Sequence, residues 1–400
     1  MNHDYLQGKE MKQPLRKTKI VLIQNIASPY IIPLFSQFAA APGIELHVYF
    51  MALLEKNREW VTRLGSDFKY KVLRGFAFNF FKKDFFAIHV NPTIVQELMK
   101  SNPDVVISGG YSSLTAYFAF LYSKIYRKPF VVWSESTINE PSFLRTISLP
   151  LVKFIIRHSD ALVACGTRSR EYLLRLGARP AGISTAYCTV DTEFYKQRSG
   201  ELKAQKQKLK GEFGIVNKSV ILYVGQLIER KGLKYLIKAY SQLRPEFDVA
   251  LLIVGGGMQK DELAELCRRD NVRDVFFTGY IQLETLTQYY VMSDIFVLPS
   301  LEETWGRVIN EAMACGLPVI STIKAGAPAD MIINGLNGFV VKDKNVEQLH
   351  QAMSTILSDP SLKQSMGVKS QQMIDERFTI EHAVRGFMSA VDYAMIRRKQ

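Results

Sequence analysis

Two glutamates stand eight positions apart in Pro299-Ser-Leu-Glu-Glu-Thr-Trp-Gly-Arg-Val-Ile-Asn-Glu-Ala-Met-Ala-Cys-Gly-Leu-Pro-Val-Ile320. The pattern places Glu303 in a loop after a strand ending at Pro299, and Glu311 inside a helix starting near Gly306. Eight helical residues advance about 12 Å, so the two carboxylates cannot share one proton as an acid/base dyad. They can grip two distant parts of one elongated ligand. The helix start between them, at Gly306 and Arg307, offers free N–H groups to a phosphate. The same spacing also describes two surface glutamates near a helix start.

A second group sits upstream, in Tyr223-Val-Gly-Gln-Leu-Ile-Glu-Arg-Lys-Gly232. Arg230 and Lys231 are cations at a helix start, just beyond Gly225; such a pair is solvated surface or meets an anion. Gly255–Gly257 reads as a phosphate turn or as a tight turn after a core strand. Gly326 and Ala327 lie among small residues that let backbone approach a ligand. In the first half, Glu135 ends a strand and either accepts a proton or caps the strand structurally. Ser28, Pro29 and Tyr30 directly follow the first strand, at its ligand-binding end; they bind a ligand, which the resemblance given below makes the acceptor, or prepare the next helix. His89 and His158 are isolated and read as core or surface residues.

Strand-length apolar runs alternate with helical patterns throughout. The expected strands are Lys19–Gln24, Ile44–Phe50, Val105–Ser108, Phe130–Glu135 and Ala161–Cys165, with helices over Ser112–Tyr126 and Phe143–Arg157. The lysine-rich segment Lys196–Lys210 interrupts this rhythm. It resumes with Val220–Gly225, Val249–Gly255, Val275–Thr278, Asp294–Pro299, Pro318–Ser321 and Gly338–Val341. Buried parallel sheets have this signature. It predicts two doubly wound α/β domains, 1–190 and 191–375, with a closing helix over 376–400 that crosses back to the first. Ligands of such sheets sit at the carboxyl ends of the strands, in the cleft between the domains.

With 47% hydrophobic and 22% charged residues over 400 positions, the chain is no disordered or low-complexity protein. Of the net charge of +13, the first 190 residues carry +11, from 24 basic and 13 acidic side chains. Acidic partners are therefore expected at the N-terminal half. The four cysteines show no metal-ligand spacing and read as reduced thiols of a cytoplasmic protein. No apolar run suggests an export signal or a membrane span. The cluster Phe76, Phe78, Phe80, Phe81, Phe85 and Phe86, with Lys82 and Lys83, is a loop packed on the first domain or a surface that touches lipid. Phe143–Arg157 reads as an amphipathic helix with basic ends.

The segment around Glu303 and Glu311 resembles the Glu-x7-Glu motif of glycosyltransferase family 4, including the Pro-Ser before it and Glu-Ala-Met-Ala-x-Gly-x-Pro-Val-Ile after it. Tyr223–Gly232, Leu252-Ile-Val-Gly-Gly-Gly257, Phe277-Thr-Gly-Tyr280 and Ala325-Gly-Ala-Pro-Ala-Asp330 follow the family's order. The resemblance is strong over 219–342. It is weaker in the first half, at Ala27–Tyr30, Gly109–Tyr111 and Val190-Asp-Thr192. It implies a GT-B fold, two facing Rossmann-like domains, and a retaining transferase that moves sugar from a nucleotide diphosphate to an acceptor hydroxyl. It further implies front-face displacement through an oxocarbenium-like ion pair, with no cofactor and no metal.

By the same resemblance, Arg230 and Lys231 attend the diphosphate, Glu311 the ribose and Glu303 the donor sugar. Gly225, Gly306, Arg307, Gly326 and Ala327 complete the donor site. Glu135 stands where the family commonly has histidine, and Gln226 where it often has arginine. UDP-sugars are the expected donors, with GDP-sugars as the alternative. The expected acceptor is a sugar or lipid-linked precursor of surface polysaccharide, lipopolysaccharide or glycolipid. An anionic membrane surface is the further partner, with the protein peripheral on the inner face of the plasma membrane. The rival classes are a two-lobed solute-binding protein, which would carry an export signal, and a nucleic-acid binder, for which no motif is present.

Overall fold

The computed structural model describes residues 16–54, 62, 64–79, 87–139 and 143–399. The first half runs β1 (Thr18–Ile26), α1 (Ile32–Ala40), β2 (Ile44–Ala52), β3 (Lys69–Val72), β4 (Phe76–Asn79), β5 (Ala87–Val90) and α2 (Ile94–Ser101). It continues with β6 (Val105–Gly109), α3 (Leu114–Ile125), β7 (Phe130–Ser134), α4 (Phe143–His158), β8 (Ala161–Ala164), α5 (Thr167–Arg175) and β9 (Ile183–Thr185). Two linking helices follow, α6 (Thr192–Leu202) and α7 (Lys206–Gly211). The second half has β10 (Ser219–Val224), α8 (Leu233–Leu243), β11 (Val249–Val254), α9 (Lys260–Arg269), β12 (Val275–Gly279), α10 (Leu283–Met292) and β13 (Ile295–Leu298). After it come α11 (Val308–Ala314), β14 (Val319–Thr322), α12 (Pro328–Met331), β15 (Gly338–Val341), α13 (Val346–Ser358), α14 (Pro360–Arg377) and α15 (Ile380–Lys399).

Seven strands form one parallel sheet in the order β3-β2-β1-β6-β7-β8-β9, and six form another in the order β12-β11-β10-β13-β14-β15. Helices cover both faces of the first sheet, and central residues such as Ile20, Val21, Leu22 and Ile23 are wholly buried. That double burial is why the strands read as unbroken apolar runs. Strand order reverses at β1/β6 and at β10/β13. The crevice beyond the carboxyl ends at these points is where a doubly wound sheet binds its ligand.

Three features add to or differ from the sequence reading. The lysine-rich segment that interrupts the strand–helix rhythm is itself helical. Lys206 and Lys210 converge with Lys363 on Asp294, at 3.2–3.3 Å. Burial pushes the Asp294 carboxyl up, but the three lysines overcome it and hold it at about 2. Asp294 also accepts the Val220 N–H at 2.9 Å, so β13 begins one residue later than expected. Second, the flanks of the aromatic cluster form an antiparallel hairpin, β4 with β5. Residues 80–86, with most of its phenylalanines and both lysines, lie outside the described residues. Third, β3 and β9 had no signal, being short edge strands of four and three residues.

The last helix closes the molecule. From α14, which packs on α11 and α13, the chain turns at Phe378 and sends α15 onto α1, β7, β8 and β9. Phe387 stacks edge-on to Trp133 with centroids 5.1 Å apart and meets Phe38 at 5.5 Å. Gly386 allows the approach: a Cβ there would lie 2.1 Å from the Thr185 carbonyl oxygen.

Candidate active site

The loops after β10 and β13 are fastened together by backbone. The Arg230 carbonyl accepts the N–H groups of Leu301 (2.7 Å) and Glu302 (3.2 Å). Gly232 makes this possible, since it adopts φ +68° and a Cβ would lie 2.2 Å from the Pro299 carbonyl oxygen. The clamp brings the Lys231 ammonium into an ion pair with the Glu303 carboxylate. Lys231 is buried, whereas Arg230 is exposed, which separates two cations that are adjacent in sequence. Burial would push the Glu303 carboxyl up; Lys231, then Arg230 and Arg307, outweigh it and keep the group below its ordinary value. An ionised carboxylate beside a buried ammonium suits a ligand with both anionic and hydroxyl-rich parts.

The other donor-side candidates fall into three places. Gly225 adopts φ +151° at the end of β10, where Gly255 crosses it closely enough that a Cβ would lie 1.9 Å from the Gly225 carbonyl oxygen. Gly326 and Ala327 direct their N–H groups to the carbonyls of Glu303 (3.1 Å) and Trp305 (3.0 Å). These groups brace the Glu303 loop and are not free for a phosphate. Gly306 adopts φ +98° just before α11. Glu311 is wholly buried within α11, where the Tyr290 hydroxyl donates to it at 2.6 Å and its Oε1 has no partner. Burial raises its carboxyl to about 7, against the opposing effect of the Tyr290 hydrogen bond, the nearby Tyr195 hydroxyl and the Arg307 charge.

On the opposite side, Glu135 lies one residue past β7 and accepts a hydrogen bond from Arg307 Nη2 at 2.6 Å across the cleft. Burial works against the Arg307 charge, but Glu135 more than restores it. Tyr30, in the Ser28-Pro29-Tyr30 turn before α1, packs against the core of the second half. Sequence reasoning missed Thr167, which donates through N–H (2.9 Å) and hydroxyl (2.6 Å) to Asp330. It also missed Trp305, whose ring lies against Gly166, and Asn310, which donates to the Cys188 carbonyl at 3.3 Å. No local pattern announces such partners, because each pair is more than a hundred residues apart in sequence.

Several buried polar atoms at the carboxyl ends of both sheets lack partners among the described residues: Gln24 Oε1, Ser134 Oγ, Ser300 Oγ and Arg307 Nε. Buried polar atoms are rarely left so without a ligand or water to receive them. Among the described residues no group of three or more His, Cys, Asp or Glu could hold a metal ion, and no helix is long and apolar enough to cross a membrane.

The group 1 glycosyl transferases match residues 205–373, and Glycosyltransferase Family 4 matches residues 34–194. In tandem the two cover most of the chain. It belongs to glycosyltransferase family 4. This family member is 30% identical over 180 residues to an uncharacterized glycosyltransferase of Methanocaldococcus jannaschii, covering 45% of this chain and 46% of that one. That match spans under half of the relative's length. Against the alpha-D-kanosaminyltransferase of Streptomyces kanamyceticus it is 26% identical over 282 residues, 68% of this chain and 72% of that one. HepE of Anabaena, solved in complex with UDP, superposes with TM-score 0.76 at 20% identity over 94% of this chain and 100% of that one. The likeness establishes the GT-B fold of this family 4 chain.

Proposed function

We propose that the protein transfers a sugar from a UDP-sugar to an acceptor hydroxyl, with retention of configuration and without a metal ion. The observation that carries this reading is the Lys231–Glu303 pair at the carboxyl ends of β10 and β13. As the donor's glycosidic bond breaks, negative charge gathers on the β-phosphate and positive charge on the sugar carbon. Lys231, with Arg230 at the mouth of the loop, is positioned to meet the first. Transfer of the ammonium from Glu303 to phosphate would free the carboxylate to face the sugar hydroxyls and the second. Such preset charges are the main source of rate in a site of this kind.

Glu135, held by Arg307, supplies a carboxylate on the acceptor side, which the Ser28–Tyr30 turn after β1 also serves. The unpartnered oxygen of Glu311 is assigned to a ribose hydroxyl, which requires the enclosing side chains to part. HepE, which shares the fold, was solved with UDP and with UDP-glucose, which supports a nucleotide-sugar donor; uridine is our choice of base. The acceptor is assigned to the sugar precursors of surface polysaccharide or glycolipid.

UDP titration of wild type and Lys231→Ala tests the donor site. The variant should fold normally and bind at least about tenfold more weakly, the loss of one charge-assisted contact. Equal affinity removes the site. Transfer that stops in excess chelator and returns with magnesium would remove the metal-free route.

A further inference from the structure

The outer faces of α3 and α4 carry matching apolar stripes. On α3, Leu114, Phe118, Leu121 and Ile125 recur at helical spacing and are exposed, Ile125 to 72%. On α4, Ile147, Leu151 and Phe154 repeat the pattern, with Ile147 exposed to 62%. The two helices are neighbours: the strands before them pair, and Phe120 of α3 meets Phe154 of α4 with centroids 6.1 Å apart. Scattered exposed apolar residues need no explanation, but two aligned stripes on adjacent helices do.

At the far ends of the same helices lies an open pocket of about 610 Å³, lined by Lys124, Arg157, His158, Arg179, Arg397 and Arg398, with Asp160 and Gly177. Five permanent cations face one carboxylate. Asp160 is already engaged, accepting the Phe130 N–H at 2.9 Å and pairing with Arg398 at 3.1 Å and Lys124 at 3.4 Å. Arg157 and Arg179 are exposed and form no ion pair among the described residues. Between stripe and pocket the turn exposes Tyr126 and Arg127.

We propose that α3, α4 and this basic pocket form the face by which the protein docks on an anionic lipid bilayer. The aliphatic and aromatic side chains enter at headgroup depth, and the cations meet lipid phosphates. Charge argues against the other occupants. A second copy would bring five like cations toward five, and nucleic acid gains nothing from exposed Ile125, Leu121 and Leu151. The surface takes in the amphipathic helix expected over Phe143–Arg157 and does not draw on the phenylalanine cluster after Phe76, most of which lies outside the described residues. Its orientation also has a use: α3 and α4 begin at the carboxyl ends of β6 and β7, where the cleft opens. A bilayer lying along them has the cleft mouth at its surface, with Glu135 one residue beyond β7. Only that last link rests on the glycosyl-transfer reading.

Co-sedimentation with vesicles of phosphatidylcholine alone, and with added phosphatidylglycerol, tests the docking. Wild type should pellet with the anionic vesicles at low salt and be released by high salt, and it should ignore neutral ones. Arg157→Glu with Arg179→Glu should weaken partitioning by at least about tenfold. Ile125→Glu with Phe154→Glu should do the same, through the apolar component. All four positions are exposed, and thermal melting together with UDP titration verifies that the variants remain folded. Failure of wild type to pellet, or undiminished pelleting of both variants, overturns the proposal. So does a wild-type dimer in sedimentation velocity that either variant dissociates. Vesicle binding by a protein that does not bind UDP would support the docking and overturn the donor assignment instead.

Discussion

The two halves of the molecule share a parallel-sheet architecture but hold their loops differently. In the second half, loop is tied to loop by backbone: Arg230 to Leu301 and Glu302, Gly326 to Glu303, and Leu227 N–H to the Gly256 carbonyl at 2.8 Å. The Lys231–Glu303 pair is therefore preset whether or not the cleft is closed. In the first half, the loops at the strand ends send side chains across the gap, with Glu135 reaching Arg307 and Thr167 reaching Asp330. Their geometry exists only while the halves stand as they do here. One half stores charge in a fixed place, and the other half's geometry depends on domain position. The first half also leans on a borrowed element, since α15, from the far end of the chain, shares with α1 the cover of one face of its sheet.

That dependence sets the largest expected effect. Phe387→Ala removes a ring wedged between Trp133 and Phe38 and leaves a cavity in the first half's core. Such truncations cost roughly 3–5 kcal/mol. Urea unfolding followed by tryptophan emission should show a midpoint shift of matching size. If the midpoint does not move, α15 is not a brace and the contrast between the halves loses its structural basis.

Glu303→Gln tests the preset half. The amide keeps the shape of the loop but cannot support developing positive charge. We expect kcat to fall about 10²–10³-fold, as when one preorganised electrostatic contact is removed. UDP affinity should be little changed, because Lys231 keeps its place. Full activity in this variant would mean that the preset charge is not used in the chemistry.

The contrast also explains what the sequence revealed. All strands of the two sheets except the short edge strands β3 and β9 were legible, because double burial writes them as continuous apolar runs. Glu303 and Lys231 were legible too, because each sits in a contiguous stretch whose glycines shape one loop. The enclosure of Glu311 by Tyr290 was not, since a glutamate at helical spacing reads as a surface residue. Gly326 and Ala327 looked like a ligand cradle, yet their smallness serves a loop–loop contact, with a Cβ at Gly326 falling 2.0 Å from the Thr304 carbonyl oxygen. Small residues permit close approach by any backbone, and sequence does not say whose. The Arg307–Glu135 pairing was invisible for a different reason: its partners are 172 positions apart.

Glu311 offers an intermediate effect with a distinctive pH signature. Its folded-state pKa of about 7 lies above the ordinary glutamate value of 4.5. Between those values the folded protein holds a proton that the unfolded chain has released, so stability falls as pH rises from about 4.5 to 7. Glu311→Gln abolishes that fall. The variant should match wild type near pH 4 and exceed it above pH 7 by on the order of 2–3 kcal/mol. Denaturant unfolding across this range checks it. A constant difference between the two at every pH would mean the buried carboxyl is not the titrating group.

The smallest effect belongs to the link between the halves. Arg307 and Glu135 form a charge-assisted bond of 2.6 Å, but the Glu135 side chain is 32% exposed, so water screens the pair. A double-mutant cycle with Glu135→Gln and Arg307→Gln should give a coupling of about 1 kcal/mol, reduced in high salt. The kinetic consequence separates a positioning contact from a merely structural one. If the pair places Glu135 for the acceptor, Glu135→Gln raises the acceptor KM several-fold while UDP affinity stays constant. The charge-swapped pair, Glu135→Arg with Arg307→Glu, should recover stability but not the KM, because the carboxylate then sits on the wrong side of the cleft. Recovery of both would show that only the tie between the halves matters. Glu135 would then be a latch on domain position, and the acceptor proton would have to leave by another group.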